Sequence, residues 1–280
     1  MKAKVISVCN QKGGVGKTTT TVNLAWALSM RDKKILVIDM DPQANASNTL
    51  GINPGDAKWT TYDILIDKKK IISTSKSHTR NELIEIVPSN VKLSAVEREL
   101  AGSVGAATAL RRKIDDIALE TYDFIFIDCP PSLGILTLNS LVASDTVIVP
   151  MQADSYYAML GIDDLLYRIE DVQSINSSLK IEGILITMYD ARTIICKAMA
   201  KEIKQYFSKE RVFDALINKN TSINQATLQR QTIFEFERRA TGVQDYKKLA
   251  KEILNETIDD SDTQQEREDE YITATGGDER

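Results

Sequence analysis

The residues with the most chemical content lie close to the start of the chain. Asn10 to Thr20 reads NQKGGVGKTTT, preceded by the apolar run KVISVC at 4–9 and followed by the amphipathic stretch TTTVNLAWALSMR at 19–31. Gly13, Gly14 and Gly16 let the backbone fold tightly enough to aim several N–H groups inward, and a helix start adds the positive end of its dipole. A strand, a glycine turn and Gly16-Lys17-Thr18 at a helix start are the context of a phosphate-binding loop. Residues Gly13, Gly14, Val15, Gly16, Lys17, Thr18 and Thr19 then surround the phosphates. Lys17 supplies a full charge to the β and γ phosphates, and the Thr18 hydroxyl ligates Mg²⁺. The strict pattern would put its first glycine at position 11; Gln11 stands there instead, and Lys12 follows it.

Two carboxylate groupings suit the same chemistry. VIDMDPQ carries Asp39 and Asp41, and FIFIDCPPS carries Asp128, each at the end of an apolar run. Ligands of an open parallel sheet gather outside the carboxyl ends of its strands. An aspartate there anchors Mg²⁺, which is the role expected of Asp128. Asp39 and Asp41 are two residues apart, so an extended chain presents both to one site. On spacing alone, either could assist the metal while the other orients an attacking water.

Positioning these groups requires a particular scaffold. Runs at 34–40, 83–89, 123–130, 146–151 and 182–188 are continuous and apolar, and helical patterns separate several of them, at 93–102 and 106–120 among others. Such runs predict an α/β fold, a mostly parallel twisted sheet with helices on both faces. Residues 1–256 are expected to form one domain. Residues 257–280 hold nine acids against two arginines, a net −7, which leaves +2 for the rest of a chain whose total is −5. Poor in apolar residues, that segment reads as a disordered acidic tail. Cys9, Cys129 and Cys196 show no metal or disulfide spacing, His78 lies in a polar stretch, and Trp26 falls on the first helix as a core residue. No apolar run is long enough to span a bilayer, and no secretory leader is visible, so a cytoplasmic location is expected.

With KGGVGKTTT, DMDPQANAS and IDCPPSLG in this order, the chain resembles the deviant Walker A ATPases, and more closely the ParA/Soj-type partition ATPases. The similarity continues through TMYDART (187–193), INKNTSINQA (217–226) and YKKLAKEI (246–253). The resemblance implies ATP and Mg²⁺ as cofactors, with Thr18, Asp39 and Asp128 around the metal and Asn218 and Asn220 at the nucleotide. It implies that Lys12 reaches across an ATP-sandwich homodimer to the partner's nucleotide and that Asp41 positions the hydrolytic water. Asp154 and Tyr156 fall where relatives line the dimer interface. It further implies nonspecific binding of double-stranded DNA, nucleoid association, and stimulation by a ParB-type centromere-binding partner.

Residues 180–256 carry fourteen Lys/Arg against ten Asp/Glu. The expected DNA surface consists of Arg192, Lys197, Lys201, Lys204, Lys219, Arg230, Arg238 and Arg239, since clustered basic residues bind phosphate backbone without reading bases. Two motifs differ from the family pattern: its common IPRN is INKN here, and its HGKP is QRQT at 229–232. A ParA-like ATPase that positions a protein cargo on the nucleoid is the alternative within the family. A MinD-like membrane ATPase is disfavoured because its basic amphipathic C-terminal helix has no counterpart in the acidic end of this chain. An iron–sulfur carrier is disfavoured because Cys129 has no suitably spaced partner.

Overall fold

The computed structural model describes residues 2–103, 105–154, 159 and 161–256. Its strands are β1 (Lys4–Val8), β2 (Ile35–Asp39), β3 (Ser77–His78), β4 (Ile84–Val87), β5 (Phe124–Asp128), β6 (Thr146–Gln152) and β7 (Lys180–Thr187). The helices are α1 (Lys17–Ser29), α2 (Asn45–Thr49), α3 (Thr61–Ile66), α4 (Val96–Leu100), α5 (Asp116–Thr121) and α6 (Ile135–Ala143). They continue with α7 (Ile162–Gln173), α8 (Ile194–Tyr206), α9 (Thr221–Leu228), α10 (Ile233–Phe236) and α11 (Thr241–Leu254). The sheet runs β3-β4-β2-β5-β1-β6-β7, parallel throughout except for the short edge pair β3–β4. The mostly parallel α/β architecture expected from the apolar runs is therefore the observed one.

Strand alternation explains the layers. Ile6 and Val8, Ile35 and Val37, and Phe124 and Phe126 face one side, where they pack with Leu24 and Leu28 of α1 and Tyr246 and Leu249 of α11. Leu36, Ile38, Ile125 and Ile127 face the other, against α3 and the segment around Leu110. A third cluster joins β6 and β7 to α6, α7 and α8. Helix α11 shows why these elements hold: Val243, Tyr246, Leu249, Ala250 and Ile253 form a buried stripe at helical spacing. Each large side chain there contributes roughly 1.5–3 kcal/mol by leaving water. Gly183 in β7 is a close approach, since a Cβ would lie 2.6 Å from the Phe213 ring. The three cysteines are buried and free, and Trp26 packs partly buried against the first cluster.

The expected helix over 106–120 is broken. Short 3₁₀ turns occupy Ala106–Thr108 and Arg111–Lys113, and α5 begins only at Asp116. Tertiary bonds outcompete the local pattern: Lys113 Nζ donates to the carbonyls of Asp67 and Lys70, and Asn139 Oδ1 accepts the Leu110 N–H. Similarly, 93–102 is a 3₁₀ turn over Val91–Ala95 that leads into the short α4. Residues 257–280 lie outside the described residues.

Chain order reverses at β1. From there the chain goes through α1 to β2 on one side, while β5 is followed by β6 on the other. Such a switch point opens a crevice at the carboxyl ends of the strands, and the glycine loop leaves β1 into it.

Candidate active site

Asn10 anchors the loop from inside: its Nδ2 donates to the Pro150 carbonyl at 2.7 Å, and its Oδ1 accepts the Lys12 N–H at 3.0 Å. Gly14 and Gly16 take φ of 76° and 87°, a region that costs other residues on the order of 1–2 kcal/mol. Two neighbours fix the loop from outside. Thr187 Oγ1 at the end of β7 donates to the Val15 carbonyl at 3.0 Å, and Gln152 Nε2 at the end of β6 donates to the Gly14 carbonyl at 3.4 Å.

Lys17 opens α1 and is buried. Its Nζ donates to the Lys12 carbonyl at 2.8 Å, so the ammonium bridges the end of the loop to its beginning. Burial lowers the Lys17 pKa, and the charges of Asp128 and Asp41 work against that shift. Lys12 makes this contact through its backbone, and its half-buried side chain takes no part in it. Thr19 sits half-buried one residue past Thr18, in the first turn of α1.

The β2–β5 register sets Asp39 level with Asp128, and alternation places both on the α1 side of the sheet. Asp128 Oδ2 accepts the Thr18 hydroxyl at 2.7 Å, and its Oδ1 accepts Thr21 Oγ1 at 3.1 Å. Burial, and then the charge of Asp39, push the Asp128 carboxyl well above the usual range. A cation would relieve that repulsion, and hydroxyl and carboxylate oxygens are the hard donors Mg²⁺ takes. Thr18 and Asp128 therefore fit that metal.

Asp39 is engaged differently. Its Oδ2 accepts the Ser47 N–H at 2.9 Å and the Ser47 hydroxyl at 2.7 Å, and its Oδ1 accepts the Asp41 N–H at 3.1 Å. Burial raises it to about 6 against the pull of those bonds. Three donors from its own loop make Asp39 a brace for the turn that carries Asp41. Asp41 Oδ1 accepts the Gln43 N–H at 2.9 Å.

Beyond Gly16 and Thr19, a cleft continues between Thr187, Asn218 and Tyr246. Asn218 and Asn220 both line it. The Asn220 amide is committed to structure: its Oδ1 caps α9 through the Ser222 N–H at 2.8 Å, and its Nδ2 donates to Thr241 Oγ1 at 2.9 Å. Asn218 is bonded to Asp245. Asp154 is exposed just past β6, and Tyr156 lies outside the described residues.

The basic residues fall into separate places. The Lys219 N–H bonds the Tyr189 carbonyl at 2.9 Å, which brings Lys219 beside the loop of Arg192. The Arg192 side chain, 88% exposed, already holds Asp190 through Nε at 2.9 Å and Nη2 at 2.8 Å. Lys197, Lys201 and Lys204 are exposed on α8, whose buried face is Cys196, Met199 and Ile203. Lys204 lies 3.8 Å from Asp214. Arg230 is exposed in a left-handed turn after α9, and Arg238 and Arg239 are exposed just before α11.

Several site residues escape a motif reading. Thr21 is legible in hindsight as the residue one helical turn after Thr18. Thr187 and Gln152 carry no local signal, because strand pairing brings them to the loop. Asp245 does carry one, being an acid on the buried stripe of α11.

A switch-point crevice, a glycine loop opening a helix, and a lysine and a hydroxyl–carboxylate pair beside it define a P-loop nucleotide-binding protein. The family model described as an AAA domain (AAA_31) matches residues 3–181. The sporulation initiation inhibitor protein Soj of Bacillus subtilis is 41% identical over 251 residues, covering 89% of this chain and 98% of that protein. The chromosome partitioning protein ParA of Myxococcus xanthus is 38% identical, covering 90% of this chain and 88% of that protein. Among solved structures, cobyrinic acid a,c-diamide synthase from Mycobacterium smegmatis with bound ATP analogue and magnesium superposes with a TM-score of 0.78. It is 31% identical and covers 90% of this chain and 94% of its own. The chain belongs to the ParA/Soj family of P-loop ATPases.

Proposed function

We propose that the chain is a Mg²⁺-dependent partition ATPase that works as an ATP-switched homodimer on nonspecific double-stranded DNA. The observation that carries this reading is the phosphate loop itself, where a buried Lys17 and the bonded pair Thr18–Asp128 converge with Lys12 at the loop's start. Family membership and the names of the Soj and ParA relatives support partition as the task. Thr18 and Asp128 would hold Mg²⁺, which neutralises charge on the β and γ phosphates when bound. Lys17 holds the phosphates of its own chain's nucleotide. Asp41, on the turn braced by Asp39, orients the attacking water. Lys12 serves the nucleotide of a second copy, since phosphoryl transfer accepts a cation donated in trans. Two lysines of one chain at one phosphate would duplicate each other, whereas one from each couples hydrolysis to dimerisation.

DNA contact falls to Arg192, Lys219 and the lysines of α8. Hydrolysis, accelerated by a ParB-type partner, opens the dimer and releases the DNA, and the protein works on the nucleoid in the cytoplasm. Among the described residues no helix is long and apolar enough to cross a membrane. DNA retention against salt, measured with ATP, with ADP and without nucleotide, tests the switch. Retention with ATP alone, falling steeply with salt, is the expected result; equal retention in all three states overturns it.

A further inference from the structure

Asp245 sits on the buried stripe of α11, 5% exposed, behind Asn218 and next in sequence to Tyr246, both of which line the cleft that continues from the phosphate loop. A carboxylate in that place needs partners, and Asn218 supplies them. The Asn218 backbone N–H donates to Asp245 Oδ2 at 2.8 Å, and its side-chain Nδ2 donates to Oδ1 at 2.9 Å and to Oδ2 at 3.1 Å. Burial pushes the Asp245 carboxyl up, and the bonds from Asn218 and the charge of Lys248 pull it down.

The chemistry of these partners decides which way the Asn218 amide turns. An ionised carboxylate only accepts, so the NH₂ arm of the amide must face it. Turning the amide round would set its carbonyl oxygen against both carboxylate oxygens. The carbonyl arm is therefore left to the cleft that Asn218 lines beside Gly16, Thr19, Thr187 and Tyr246. Asn220, the other amide of the same loop, is committed to capping α9 and to Thr241. At Asn218 the cleft thus offers a base a fixed acceptor held from behind. A 6-amino purine donates to such an acceptor, whereas a 6-oxo purine presents oxygen to oxygen.

We propose that Asp245 is a positioning residue for base selectivity: by holding the NH₂ arm of Asn218, it keeps an acceptor in the cleft and so selects 6-amino over 6-oxo purine nucleotides. This rests on the reading of the cleft as the base site of an ATPase and adds the residue that sets its preference. A merely structural role, fastening α11 to the 217–220 loop, would weaken every nucleotide alike and leave the preference unchanged.

Calorimetric titration of the full chain with Mg²⁺ and either ATP or ITP, which differ at the 6-position, separates these cases. The unaltered protein should favour ATP by about ten- to a hundredfold, the range expected when a polar group faces the wrong partner. Asp245→Asn can both donate and accept, so it frees the Asn218 amide to turn. The ATP/ITP preference should then fall to within about threefold, mainly through tighter ITP binding. Asn218→Ala should abolish the preference as well, and adding Asp245→Asn to it should change the preference no further. A preference that survives Asp245→Asn in a folded protein overturns the inference. If Asp245→Asn does not fold, a preference that survives Asn218→Ala does the same. Binding of neither nucleotide by the unaltered protein would instead defeat the ATPase reading, and this inference with it.

Discussion

Asp39 and Asp41 are two residues apart in sequence and differ in what holds them. Asp39 receives three donors from its own loop, while Asp41 uses Oδ1 to close a turn with Gln43. That difference makes Asp39 a structural brace and supports the proposed role of Asp41 at the water. Asp41→Ala should keep ATP and DNA binding and lose about 10²–10⁴-fold in turnover, measured by phosphate release beside nucleotide titration. Turnover that survives would move the water to another group. Lys12 invites the companion test. Its carbonyl receives Lys17, and that backbone contact is available to any side chain at position 12. Lys12→Ala should therefore still bind ATP as a monomer but lose ATP-dependent dimerisation by light scattering, together with stimulated hydrolysis. Normal stimulated turnover would remove the trans role.

At the scale of elements, the edge of the sheet is fastened by charge. Glu85 on β4 meets Lys76 Nζ at 2.6 Å, His78 Nδ1 at 2.9 Å and the Tyr122 hydroxyl. Burial raises its carboxyl, but the bonds from Lys76 and Tyr122 outweigh this and leave it below the ordinary range. A depressed carboxyl adds stability above its unfolded pKa and loses it as pH falls through the folded one. Glu85→Gln should accordingly cost about 1–3 kcal/mol near neutral pH, and the gap in thermal midpoint should close as pH falls below the ordinary carboxylate range and through the lowered folded-state pKa of Glu85. A gap that persists in acid would mean that packing, not ionisation, is what Glu85 supplies. Helix α8 carries a different kind of charge. If Lys197 and Lys201 touch phosphate, replacing both by alanine should lower the salt slope of DNA retention by about two units; an unchanged slope would place the DNA elsewhere.

The strands were legible because a parallel strand buried on both faces must be continuously apolar, as FIFID and ILVID are. The phosphate loop was legible because its glycines and lysine act through local backbone. The break at 106–120 was not, since Lys113 and Asn139 reach carbonyls and N–H groups far away in sequence. For the same reason Thr187 and Gln152 became site residues only once β6 and β7 were placed beside β1.

At the scale of the whole molecule, charge is unevenly shared, with −7 on residues 257–280 and +2 on the rest. On the proposed DNA-binding role, a tethered polyanion would compete with DNA for the same cations. A chain ending at residue 256 should hold DNA more tightly with ATP, most clearly at low salt where screening is weak. Retention identical to that of the full chain would show the segment electrostatically idle. The pair Asp190–Arg192 carries the same logic to a single side chain. Its guanidinium is already bonded twice to a carboxylate, so a phosphate would have to displace Asp190 to take Arg192 by its Nε–Nη2 edge, while the remaining N–H donors stay open to it. On the proposed reading, contact with DNA through that edge would exchange one anion for another, and its free energy would be a difference between two similar bonds. A grip of that kind would engage at many successive positions along a polymer with little change in energy, as the proposed nonspecific and reversible contact requires.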